Sequence, residues 1–88
     1  MPYVIEHTDT FGGEANYCWV RRKAIDVPET IPYGRTLRRY LVRKAKAFAG
    51  FTGMRCRVDA YACDDLQITP VGRHRLLQTV FISWQEEI

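Results

Sequence analysis

Apolar positions change their period several times along this chain, and each change marks an element. Tyr3 to Thr8 carries β-branched and aromatic residues at the density of a strand. Ala15 to Ile25 alternates and predicts a second strand, with Tyr17 and Trp19 on one face and Cys18, Val20 and Ala24 on the other. Between them, Asp9-Thr10-Phe11-Gly12-Gly13-Glu14 holds paired glycines that can take the positive φ of a tight reversal. The two strands are therefore expected to form an antiparallel hairpin.

Pro28 and Pro32 make residues 26–32 a connector, because proline removes a backbone donor and fixes φ. From about Tyr33 to Ala49 the composition turns helical, rich in Arg, Leu, Lys and Ala with no internal proline. At about 100° per residue, Leu37, Leu41, Ala45 and Phe48 share one arc, continued by Ala49 and Val42. Gly50 or Gly53 is a suitable stop.

Strand periodicity then returns. Met54 to Ala62 alternates, with Met54, Cys56, Val58 and the alanines on one face and Arg55, Arg57, Asp59 and Tyr61 on the other. Asp64-Asp65 marks a turn, Leu66 to Thr69 a short strand, and Pro70-Val71-Gly72 another turn. Leu76 to Trp84 closes the series, with Val80, Ile82 and Trp84 on one face. The expected fold is α+β in the order ββαβββ, one amphipathic helix packed on a mostly antiparallel five-stranded sheet. At 88 residues the chain is read as a single domain, residues 1–88.

Charge adds what periodicity cannot. The net charge is only +3, yet between Thr30 and Val58 lie eight basic residues and no acidic one. Residues 1–29 carry three basic and five acidic groups, and residues 59–88 carry two and five. The middle is thus strongly cationic within an acidic frame. Its centre is the helix, where Arg35, Arg39, Arg43 and Lys46 form a stripe about 16 Å long at 1.5 Å rise per residue. Like charges at i, i+4 repel, and no acid on the helix offsets them. Arg outnumbers Lys ten to three, and guanidinium forks suit phosphate and carboxylate recognition. Arg55, Arg57 and Tyr61 are candidates to extend the patch, an arrangement that grips a backbone and stacks a base. The competing reading is a solvated helix face and an ordinary sheet surface.

Other chemistry is poorly supported. The three cysteines, Cys18, Cys56 and Cys63, are an odd number with no C-x-x-C spacing, which suits free thiols in a reducing compartment. They do not make the paired ligand sets of a zinc site, so no metal or cofactor is expected. His7 and His74 are both expected at the surface, and Asp64-Asp65 and Glu86-Glu87 read as turn and solvated terminus. The chain is expected not to be an enzyme. Gly12-Gly13 matches no phosphate-binding motif. No stretch reaches the ~20 apolar residues that span a bilayer, and the N-terminus lacks a leader pattern. A cytoplasmic location is expected, with no membrane partner.

Asp9-Thr10-Phe11-Gly12-Gly13-Glu14-Ala15-Asn16-Tyr17, Thr52-Gly53-Met54-Arg55-Cys56-Arg57 and Val80-Phe81-Ile82-Ser83-Trp84 resemble segments of short accessory proteins of phages and prophages. The resemblance implies small proteins of mobile elements, among which inhibitors of host defence such as anti-CRISPR proteins are prominent, acting in a bacterial host cell. It carries over no functional residue. Some anti-CRISPR proteins mimic DNA with an acidic surface, whereas this chain has a cationic middle. The expected action is docking on an acidic protein or nucleoprotein surface through Arg35, Arg39, Arg43 and Lys46. A stand-alone nucleic-acid-binding or regulatory protein using the same residues is the alternative. A virion assembly protein that contacts its neighbours through a sheet edge is a further one. The oligomeric state is left open.

Overall fold

The computed structural model describes residues 2–11, 14–61, 65–71 and 78–84. Its elements follow the order ββαβββ: β1 (Pro2–Phe11), β2 (Glu14–Asp26), α1 (Arg35–Ala49), β3 (Cys56–Ala60), β4 (Leu66–Pro70) and β5 (Gln78–Trp84). The described strands form one sheet in the order β2-β1-β5-β4-β3, with antiparallel neighbours throughout. The N-terminal hairpin and the C-terminal three strands join where β5 pairs with β1, register Ile5 to Ile82. The fold is the α+β arrangement that the periodicity predicts. Gly12-Gly13, Ala62, Cys63, Asp64, Gly72, His74, Leu76 and Glu86-Glu87 lie outside the described residues, and so do the readings made for them.

Strand alternation sends Tyr3, Ile5 and His7 of β1 to the helix side, with Val80 and Ile82 of β5 and Leu66 and Ile68 of β4. Leu37, Leu41, Ala45 and Ala49 of α1 meet them, and all are buried. Val27 and Phe51, from the segments flanking the helix, complete this core.

The helix ends as its sequence predicts, at Gly50. That residue takes φ 77°, and its N–H donates to the Ala47 carbonyl while the Phe51 N–H donates to the Lys46 carbonyl at 2.7 Å. These two bonds are the Schellman pattern, which satisfies carbonyls that the helix itself leaves unpaired. It also turns Phe51 back into the core, where it is fully buried.

Two expectations are corrected. His7 is not at the surface: it is only 4% exposed. Position 7 shares its face with Tyr3 and Ile5, so the period that buries them buries it too. Its ring stands edge-on to Trp19 at 4.8 Å and Phe51 at 5.5 Å, and its Nε2 is 2.9 Å from Gln78 Oε1. Tyr17 and Trp19 do not share a face either. Thr8 pairs with Val20 but Thr10 with Ala15, so four residues of β2 oppose Asp9 alone. Tyr17 takes φ 57° within this bulge. As a result Trp19 packs on His7 on the helix side, while Tyr17 stacks on Phe81 at 6.4 Å. The Thr8 hydroxyl, fully buried, donates to the Trp19 carbonyl at 2.8 Å and anchors the bulge.

The face away from the helix is polar and internally satisfied near its centre. Thr79 donates its one hydroxyl proton to the Ile68 carbonyl, so Thr69, 2.9 Å away, is the donor to Thr79. Gln67 Nε2 donates to the same oxygen at 3.2 Å, and Gln67 Oε1 accepts from the Tyr61 hydroxyl at 2.6 Å.

Candidate anion-binding groove

One helix about 10 Å across cannot cover five strands spaced about 4.8 Å apart. Here α1 packs chiefly over β5, with β1 and β4 beside it. A groove therefore opens between α1 and the edge strand β3, with a volume of about 570 Å³. Its wall is the cationic stripe: Arg35, Arg39, Arg43 and Lys46 all line it, as the helical spacing predicts. Arg38 joins them. Val42 and Val58 give the groove an apolar strip, and Thr52 and Gly53 border it from the loop after the helix.

Arg38 was not among the residues expected here, although the signal for it was present. At about 100° per residue it lies about 60° from Arg35, on the side away from Arg39. Val42 falls between them, so it continues the apolar arc half-buried against the core and also lines the groove. The stripe consequently flanks the core and faces β3, where it forms one wall of a concavity.

The four arginines are exposed. Among the described residues no carboxylate pairs with any of them, and the carboxylates that do form ion pairs serve Arg22 and Arg57. Arg43 also lies 5.7 Å from the Tyr40 ring, a cation–π contact that orients its stem. Lys46 differs from its neighbours. It is half-buried, and its Nζ donates to the Met54 carbonyl at 2.8 Å. That bond ties the last turn of α1 to the loop leading into β3. Lys46 therefore shapes the groove floor as well as charging it.

Lys46 also acts on Cys56, whose Sγ is 3.6 Å from the same carbonyl. Burial pushes the Cys56 thiol above its ordinary value, and the nearby ammonium of Lys46 partly offsets the rise. A protonated, half-buried thiol is a poor nucleophile. Cys56 thus behaves as the small hydrophobe expected from its strand position.

The remaining expected residues fall elsewhere. Arg57 in β3 and Tyr61 just after it share a face of the sheet, as the alternation predicts, but it is the face opposite the helix. Arg57 Nε contacts Asp59 Oδ2 at 3.0 Å, which neutralises much of its charge locally. Neither residue lines the groove. Arg55, exposed just before β3, accepts the Val71 N–H through its carbonyl and is not part of the lining either. Tyr61 instead borders a second pocket at the start of α1, which Arg35 and Arg38 line as well.

No helix among the described residues is long and apolar enough to cross a membrane. No family model, curated protein or solved structure matches this chain.

Proposed function

We propose that this chain is a non-catalytic binding protein that docks the α1–β3 groove onto an anionic macromolecular surface, and that by doing so it blocks a nucleic-acid-targeting defence complex in the cytoplasm of a bacterial host. The observation that carries the docking is the groove itself: among the described residues, five cationic side chains and no carboxylate line it. A stripe left to solvent has no need of an apolar strip through its middle, whereas a docking surface gains contact area from Val42 and Val58. Fixed charges of one sign steer association and set register more than they add affinity. The defence complex as target comes from the resemblance to phage accessory proteins.

The test is the double variant Arg39→Glu/Arg43→Glu in a plasmid- or phage-interference assay with a CRISPR effector that the native chain inhibits. Loss of inhibition with an unchanged circular dichroism spectrum is the expected result. Full inhibition by the variant would remove the groove from the mechanism. A second reading, direct binding to nucleic acid, is favoured by Arg35, Arg39 and Arg43 on successive helical turns with Arg38 beside them, and it makes a separate claim. Labelled DNA or RNA would then bind the free protein with a logarithmic salt slope of about −0.9 for each phosphate contacted in a duplex.

A further inference from the structure

Arg35 and Arg38 line two concavities. One is the groove; the other is a pocket of about 430 Å³ at the start of α1, between the helix and the β3–β4 end of the sheet. Its floor is apolar, formed by the buried Leu37, Leu41 and Leu66. Tyr33 and Tyr61 stand at its rim, 74% and 54% exposed. Among the described residues no carboxylate lines it. The volume lies within the usual range for small-ligand sites, about 300–1,000 Å³, and an apolar floor with a few placed polar groups is their usual make-up.

We infer that this pocket binds a nucleotide, with the base against Tyr33 and the apolar floor and the phosphate on Arg35 and Arg38. The two guanidiniums are three residues apart on one helix, so they lie side by side and can fork onto one phosphate. A flat aromatic body answers the exposed Tyr33 ring and the leucine floor. Tyr61 borders the pocket only where the chain leaves β3, because its hydroxyl donates to Gln67 Oε1 at 2.6 Å on the face away from the helix. Gly34 opens the mouth, since φ 105° places no side chain there and the space beside it is empty. The start of α1 has no side-chain cap and no acid in its first turn, so its positive end adds to the attraction for phosphate. The pocket and the groove meet at Arg35 and Arg38, which lets the nucleotide be either free or the end of a strand.

The experiment is an amide NMR titration of the full chain with AMP and UMP, alongside inorganic phosphate, adenosine and uridine. The expected result is perturbation of the amides of Gly34, Arg38, Tyr61 and Leu66, with a nucleotide affinity at least tenfold above that of phosphate or either nucleoside. Tyr33→Ala should weaken the nucleotide about tenfold, in line with the loss of one base stack. Tyr61→Ala should leave nucleotide affinity unchanged, since its ring lies on the other face of the sheet. A short oligonucleotide with and without a 5′-phosphate separates the sources: preference for the phosphorylated end assigns the pocket to strand termini, and equal binding of mononucleotide and oligonucleotide assigns it to free nucleotide. Phosphate binding as tightly as nucleotide, or no perturbation at millimolar nucleotide, would overturn the inference. Arg39→Glu/Arg43→Glu should retain mononucleotide binding, so failure of the groove as a docking surface and failure of the pocket register separately.

Discussion

The groove makes a counterintuitive demand on stability. Arg39 sits between Arg35 and Arg43 on successive turns of α1, and none of the three has a carboxylate partner among the described residues. Each like-charge pair at i, i+4 costs an isolated helix about 0.2–0.5 kcal/mol, and each opposite pair returns a similar amount. Arg39→Glu removes two repulsions and creates two attractions, so four such increments change sign together, a gain on the order of 1 kcal/mol. Nothing else moves much. Arg39 is exposed, and Arg and Glu have similar helix propensity. In a domain of this size 1 kcal/mol corresponds to roughly 4–8 °C in Tm. The assay is thermal or urea unfolding of native and variant chains at about 0.02 M and 1 M salt. The variant should be the more stable at low salt, and the difference should shrink at 1 M, where the screening length falls to about 3 Å. A variant less stable than the native chain at low salt, or a difference indifferent to salt, would refute the reasoning. The expected pairing of higher stability with lost docking is the mark of charge kept for binding.

Other perturbations read the fold and the groove. Gly50→Ala should cost about 1 kcal/mol in urea unfolding, because the strain of φ 77° is paid with no steric clash: the space beside Gly50 is empty. His7→Ala should cost about 3 kcal/mol through the cavity left among Trp19, Phe48 and Phe51, and a loss under 1 kcal/mol would place the imidazole outside the core. Lys46→Met keeps the stem but removes the bond to the Met54 carbonyl; hydrogen exchange should accelerate locally at the Phe51–Met54 loop while α1 stays protected. Cys56 has a raised thiol pKa from burial, so its folded form holds the proton more tightly than the unfolded chain does. The resulting stability is fully present below the ordinary thiol value and lost as pH rises through the folded one. Peptide mapping after iodoacetamide at pH 8.5 should show Cys56 alkylated more slowly in the folded than in the urea-unfolded chain.

Much of this architecture was legible before any coordinates. Strand-forming composition marked β1 and a period of two marked β2 and β3, each to within a few residues, and the apolar arc of α1 contains the buried Leu37, Leu41 and Ala45. The cationic stripe was legible as well, since charge at i, i+4 and i+8 lies on one side of a helix in any surroundings. These are local properties: each depends on residues a few positions apart whose geometry the backbone repeat sets alone.

What stands opposite a residue is not local. His7 reads as a surface residue in the sequence because its own neighbours say nothing of Trp19, Phe48 and Phe51, brought to it by a hairpin and a helix end. Tyr17 and Trp19 alternate on paper, but the bulge opposite Asp9 sends their side chains to different faces. Arg57 and Arg39 belong to one cationic run, yet the sheet lies between them because β3 turns its charged face away from α1. Sequence by itself determined the elements, their order and the charge of the helix. The tertiary structure alone decided that this charge faces a groove, that Arg38 completes it and that Tyr33 and Tyr61 share a pocket, because each depends on long-range strand register and on where one narrow helix rests on a wider sheet.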